Sequence, residues 1–226
     1  MLRLVLFDID GTLIHTDRVG IKAFDKVLET QFGVANGVAG VSFAGRTDTG
    51  LVREIFCKHR IEPSQANFEL FFDCYADWLA QMLPGHRGEV CPGVWKFIHD
   101  LQSSAEPPTF GLLTGNIRLG AEIKLRHFNL WDSFVTGAFA DDHEDRNEIA
   151  AIAHQRGSRV LRQKLPGDQV LVIGDTPLDI ACGRAIGARV LAVATGGSTL
   201  AELQAHRPDW AVTDLARVRA RELCRL

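Results

Sequence analysis

The chain has 226 residues, 46% of them hydrophobic and 23% charged, which suits one folded domain or a domain with an insert and excludes a disordered protein. Lys and Arg number 25 against 28 Asp and Glu, a net charge of −3, so the overall balance favours neither nucleic acid nor an anionic membrane as a partner. No apolar run approaches the ~20 residues of a membrane-spanning helix.

The run from Met1 to Phe7 is too short for a signal peptide before Asp8 and Asp10 interrupt it. The cysteines, Cys57, Cys74, Cys91, Cys182 and Cys224, are odd in number, far apart and without a C-x-x-C pair. They read as reduced thiols of a cytoplasmic protein.

In chain order, short apolar runs predict strands at Leu2–Phe7, Phe110–Leu113, Ser133–Val135, Val170–Ile173 and Val190–Val193. Runs without polar alternation suit strands buried on both faces. Helical spacing follows Pro92 (Val94, Phe97, Ile98, Leu101), Arg146 (Ile149, Ile152, Ala153, Val160) and Pro177 (Ile180, Ala181, Ala185). The alternation predicts an α/β fold, a doubly wound parallel sheet with helices on both faces.

From His15 to about Glu89 no strand is evident. Phe24, Val27, Leu28 and Phe32 mark one amphipathic helix there. Leu51, Val52, Ile55 and Phe56 mark a second, and a stripe from Phe68 to Met82, starting near Pro63, marks a third. This insert leaves just after the first strand, where ligand crevices of parallel sheets lie, and is placed to act as a lid. Arg217, Arg219, Arg221 and Arg225, interrupted by Glu222, read as a solvated helix face.

Four motifs carry chemistry. Asp8-Ile9-Asp10-Gly11-Thr12-Leu13 ends the first strand, and residues i and i+2 of a strand point the same way. Two carboxylates so close repel unless a cation or a raised pKa relieves them. Leu112-Leu113-Thr114-Gly115-Asn116 ends another strand in groups that suit an anion, or in a helix cap. Arg146 follows an acidic run. Gly174-Asp175-Thr176-Pro177-Leu178-Asp179 brings two further carboxylates to a strand end, with Thr176 or Asp175 also suited to capping the next helix. Oxygen-only ligands suit Mg²⁺, and carboxylates, a cation and N–H donors together suit phosphoryl transfer.

In this order the motifs resemble those of the haloacid dehalogenase superfamily, in its aspartate-nucleophile branch with a helical cap, and are similar to the phosphoglycolate phosphatase-like group. The resemblance implies a Rossmann-like core, 1–14 and 90–226, and a cap, 15–89. It implies that Asp8 is the nucleophile and carries an aspartyl-phosphate, and that Asp10 is the acid and base, its carbonyl also a metal ligand. Thr114 and Arg146 would hold the phosphoryl group, with Lys164 a weaker alternative to Arg146. Asp8, Asp10, Asp175 and Asp179 would form the Mg²⁺ site, Asp179 through water or by orienting Arg146. Thr12, Gly115 and Asn116 would lie against substrate. Gly45-Arg46-Thr47-Asp48 resembles the substrate-facing turn of such caps, with Arg46 meeting an anionic leaving group.

The implied activity is Mg²⁺-dependent hydrolysis of a small phosphorylated metabolite by a monomer or homodimer. A dehalogenase is disfavoured by Asp10, and a phosphonoacetaldehyde hydrolase by the absence of a lysine beside Arg46. A β-phosphoglucomutase-like isomerase shares the core motifs, and a phospho-accepting receiver module is the reading from another class.

Overall fold

The computed structural model describes residues 1–220 and 223. The chain opens with β1 (Leu4–Phe7) and β2 (Ile14–His15). Three helices follow, α1 (Val19–Phe32), α2 (Asp48–His59) and α3 (Gln65–Met82), then β3 (Glu89–Val90). Next come α4 (Val94–Gln102), β4 (Thr109–Leu113), α5 (Arg118–His127), β5 (Thr136–Ala138) and α6 (Arg146–Val160). The last elements are β6 (Val170–Gly174), α7 (Pro177–Ala185), β7 (Arg189–Val193), α8 (Leu200–Ala205) and β8 (Trp210–Val212).

Six strands form one parallel sheet in the order β5-β4-β1-β6-β7-β8. The strands of β1 alternate their side chains between two cores. Val5 and Phe7 pack with Val94, Phe97 and Leu101 of α4 and with Leu125 of α5. Leu4 and Leu6 pack on the other face with Ile149, Ala150 and Ala153 of α6. Burial on both faces accounts for the unbroken apolar run of β1, each such side chain contributing about 1.5–3 kcal/mol. Phe7 meets Phe97 and Phe110 edge-to-face, with centroids 6.3 and 5.8 Å apart.

Strand order runs outward from β1 in both directions. The carboxyl ends of β1, β4 and β6 therefore flank the point at which ligands bind in such sheets.

The expected strand at Ser133–Val135 is displaced: Trp131–Ser133 form a 3₁₀ turn and the strand is Thr136–Ala138. Val135 is 65% exposed and gives only one backbone bond to Phe110, whereas Gly137 lies opposite Leu112 in the sheet. The first strand starts at Leu4 rather than Leu2. Helix α8 and the edge strand β8 were not expected, and α5 was expected only as a helix following Asn116, without bounds. The stretch from His15 to Glu89 does touch strand at its ends, since Ile14 pairs with Val90 and His15 with Glu89, antiparallel.

Between those ends, α1, α2 and α3 close around an aromatic cluster of their own. Phe24 stands edge-to-face on Phe71 and Tyr75, centroids 5.0 and 4.8 Å away. Ile117 and Ala140, from the sheet side, join the same cluster. Ser64 caps α3 by accepting from the Asn67 N–H, which fixes its start just after Pro63.

Cys57, Cys74, Cys91 and Cys182 are free thiols, and Cys224 lies outside the described residues. Arg217 is exposed in a 3₁₀ turn and Arg219 is exposed beyond it, while Arg221, Glu222 and Arg225 lie outside the described residues. No described helix is long and apolar enough to cross a membrane.

Candidate active site

The Asp8 N–H donates to the Ile173 carbonyl at 2.9 Å, extending the β1–β6 ladder by one residue and fixing the nucleophile candidate at the strand end. The chain then reverses at Gly11, whose φ of +83° is costly for any residue with a Cβ. Gly11 donates back to Ile14, 2.9 Å.

Asp175 follows β6 directly. Thr176 caps α7 and Asp179 reciprocates, its Oδ2 accepting from the Thr176 N–H at 3.0 Å and hydroxyl at 2.6 Å. The capping role and the cluster role thus coexist in one residue. Oxygens of Asp8, Asp175 and Asp179, all buried, lie within 4.8 Å of one another.

Arg146, 8% exposed at the start of α6, supplies the balancing charge. One guanidinium nitrogen faces Asp8 Oδ1 at 3.4 Å and also donates to Asp179 Oδ1. The other donates to the Gly45 carbonyl, 3.2 Å away. Asp179 is thus in direct contact with Arg146. Lys164 is exposed beyond α6 and does not line the site.

One cation does not balance three carboxylates. Burial, with repulsion from Asp179, pushes Asp8 up to about 7 despite Arg146. Burial, with repulsion from Asp179 and Asp8, pushes Asp175 up to about 8. The excess negative charge and the all-oxygen donor set fit a hard divalent cation. Burial outweighed by the two carboxylates leaves Arg146 above its ordinary value.

These shifts make metal-free stability depend on pH. Unfolded, both acids titrate near 3.8, so between that value and about 7–8 the folded chain holds the extra protons. Stability from this source is full below about pH 4 and declines as pH rises to about 8. Urea midpoints in chelator between pH 5 and 8 should therefore fall with rising pH, and a flat or rising series would contradict the charge imbalance.

Asp10 faces the other way. Its carboxylate accepts from Asn116 Nδ2 at 2.9 Å and from Lys124 at 2.7 and 2.9 Å. Thr114, fully buried at the end of β4, accepts from Asn116 Nδ2 at 2.8 Å and so keeps its own hydroxyl hydrogen to donate. It does not cap α5, whose start has no side-chain cap. Thr12 departs from its expected place. It is fully buried, donates to Asp175 Oδ1 at 3.3 Å, and does not line the cavity.

Above this group lies a cavity of ≈ 780 Å³, lined by Asp8, Asp10 and Asn116 below and by Arg46, Phe43 and Tyr75 of the inserted segment above. The turn Gly45–Asp48 docks on the core loops. A Cβ on Gly115 would overlap the Arg46 carbonyl oxygen, so glycine permits the approach. The Asp48 N–H donates to the Gly115 carbonyl at 2.7 Å, and its carboxylate accepts from the Ile117 N–H at 2.8 Å. Thr47 donates to the Glu144 carbonyl. The Arg46 guanidinium, expected to await a substrate anion, pairs with Glu54 at 2.6 Å. Arg18 is the lining arginine without an ion-pair partner among the described residues.

One site residue escaped the sequence reading, Lys124, and Asp48 was read only as the end of the Gly45–Asp48 turn. The signal for Lys124 was present: it falls on the apolar stripe of Ile117, Ala121 and Leu125. A lysine on a buried face asks for a buried partner. Nothing local marks the contact of Asp48 with the Ile117 N–H, or its burial, which pushes its carboxyl up to about 7.

Comparison with known proteins agrees with this geometry. A family model described as haloacid dehalogenase-like hydrolase matches residues 5–193. "Putative pyrophosphatase PpaX" of Caldanaerobacter subterraneus subsp. tengcongensis is 25% identical over 93% of this chain and 90% of its own length. Among solved structures, "a predicted phosphoglycolate phosphatase" from Haemophilus somnus 129pt covers 95% of both chains at 17% identity and a TM-score of 0.73. A "Putative beta-phosphoglucomutase" from Bacteroides vulgatus covers 95% of this chain and 84% of its own at 21% identity and a TM-score of 0.69.

Proposed function

The chain belongs to the haloacid dehalogenase-like hydrolase family and is an enzyme of its phosphatase kind; from that premise we propose that it hydrolyses a small phosphorylated metabolite through an aspartyl-phosphate on Asp8, with Mg²⁺ as cofactor. The observation that carries this reading is the Asp8 carboxylate at a strand end on the cavity floor, beside Arg146 and the Asp175–Asp179 pair, with Asp10 two residues on. Residues 1–14 and 90–226 are the catalytic core in this reading, and 15–89 the cap.

An Asp8 oxygen attacks phosphorus and the ester P–O bond breaks. Asp10 gives its proton to the leaving oxygen and takes one back from the water that attacks next. Arg146 and the Thr114 hydroxyl hold the equatorial phosphoryl oxygens, where charge spreads in the transition state. Asn116, bonded to both Thr114 and Asp10, keeps these two groups in register. Asp8 and Asp175 would hold the Mg²⁺, together with the Asp10 carbonyl, and the ion would offset the charge of Asp8 and the phosphate. Asp179 serves by orienting Arg146, and Thr12 by steadying Asp175. The apolar wall and the Arg18 and Arg46 rim of the inserted segment are left to select the leaving group. The free thiols suit a cytoplasmic location.

The test is phosphate release from a panel containing phosphoglycolate, pyrophosphate, sugar phosphates and nucleotides. Release is expected with Mg²⁺, none in chelator, and suppression by Ca²⁺, which prefers more oxygens at about 2.3–2.6 Å against about 2.0–2.1 Å for Mg²⁺. Full activity in chelator would overturn the metal assignment. Isomerised sugar phosphate without free phosphate would make the protein a mutase.

A further inference from the structure

Lys124 is the one buried charged residue of α5, 4% exposed. Its ammonium donates to Asp10 Oδ2 and Oδ1, at 2.7 and 2.9 Å, and to Asn116 Oδ1 at 2.6 Å. Asn116 turns its amide nitrogen to the same Asp10 oxygen and to Thr114. Lys124, Asp10 and Asn116 bond to one another at the floor of the cavity, with Thr114 buried behind Asn116.

The inserted segment completes the enclosure. A Cβ on Gly20 of α1 would come within 3.5 Å of the Lys124 ammonium and 3.4 Å of the Tyr75 hydroxyl on α3. Asp48, at the start of α2, feels the Lys124 charge. The lysine thus touches Asp10 on one side, with Gly20 of α1 close on another.

Both side chains bonded to the Asp10 carboxylate give it a hydrogen, and neither accepts one. A base about to receive a proton is well served by these donors, because they hold both oxygens in place and leave the remaining lone pairs for water.

The geometry points to Lys124 as a positioning residue for the second half of the reaction: with Asn116 it holds the Asp10 carboxylate as the acceptor for the water that hydrolyses the phosphoenzyme. This rests on the covalent reading above. In that step one water proton passes to an Asp10 oxygen and the water oxygen bonds to phosphorus. The bond from phosphorus to the Asp8 oxygen breaks, and its electron pair returns to the Asp8 carboxylate.

The test is Lys124→Met in the full chain, with p-nitrophenyl phosphate and Mg²⁺ and with acid-quenched phosphoenzyme measured through the pre-steady state. Methionine keeps the length and removes the donors. The expected result is a fall in kcat of about 10²-fold, the usual scale of a displaced general base. KM should fall with it, so that kcat/KM stays within about threefold, because nitrophenolate is a good leaving group and takes no proton from Asp10 in the first transfer. Phosphoenzyme should accumulate to most of the protein, with a burst of nitrophenol that the wild type lacks.

Lys124→Gln, which keeps one donor toward Asn116, carries the same test where the methionine variant does not fold, with a smaller accumulation. Parallel loss of kcat and kcat/KM would overturn the proposal by placing Lys124 in the first transfer or in packing. Unchanged kcat would overturn it as well. Failure of the underlying reading looks different: no phosphoenzyme in any variant, and retained activity in Asp8→Asn.

Discussion

Asp8→Asn should release no measurable phosphate while remaining folded. The amide keeps the shape of the carboxylate and cannot attack phosphorus, so the rate should fall on the order of 10³-fold or more, as when a covalent nucleophile is removed from other hydrolases. Stability should not suffer. Asp8 is buried among carboxylates and already pushed up to about 7, so a neutral side chain removes a repulsion as well as a partner of Arg146. The thermal midpoint without metal should hold or rise at pH 8. Phosphate release at the wild-type rate by a folded Asp8→Asn protein would end the covalent mechanism.

Arg146→Met should do the opposite to the fold. Removing the cation leaves Asp8 and Asp179 buried with no positive partner among the described residues, and breaking a buried pair from one side costs about 3–5 kcal/mol. Carboxylates without their cation bind protons more readily, so the folded variant holds still more protons than the unfolded chain. The loss should therefore be larger at pH 8 than at pH 5, the direction set by linkage. Methionine also cannot donate to the Gly45 carbonyl, so the docked turn of the inserted segment loses one of its holds. Activity should drop by about 10²–10³-fold, as for a lost charge-stabilising donor. Urea unfolding at the two pH values, in chelator, measures the difference, and an equal loss at both would mean that the arginine serves packing alone.

Much of the fold was legible because the central strands advertise themselves. β1, β4, β6 and β7 are buried on both faces, and each contains an apolar run, begun after Thr109 in β4 and after Arg189 in β7. β5 reads Thr-Gly-Ala and β8 Trp-Ala-Val, each three residues long, and their placement comes from pairing with a neighbour rather than from their own letters. The bounds of α5 hid for a related reason. Charged residues dominate its exposed side, and one of its buried positions is a lysine.

The same division holds in the site. Asp8 and Asp175 were readable because each directly follows a strand, and β1 and β6 are adjacent in the sheet. Arg146 was readable as a charge, yet its contacts with Asp179 and with Gly45 of the insert exist only once the chain has folded. One partner of Asp10, Lys124, lies 114 residues away on a helix whose bounds the sequence did not mark. Arg46 shows the converse: its motif suggested a free cation, and Glu54, two turns along the next helix, takes the charge.

The two-residue ladder in which Ile14 meets Val90 and His15 meets Glu89 has a topological consequence. The chain departs from the parallel sheet and rejoins it at neighbouring points, so some seventy residues hang from what is in effect the neck of a hairpin. Segments with adjacent ends are the ones a fold exchanges without redrawing its connectivity. The strand ends that carry the carboxylates would keep their spacing under such an exchange, while the roof of the cavity would change entirely. The apolar side chains shared across the seam, Ile117, Ala140 and the partly buried Ile123, would need a new cover. In the proposed reading, chemistry and selectivity would then be separately heritable, joined by a neck of four residues.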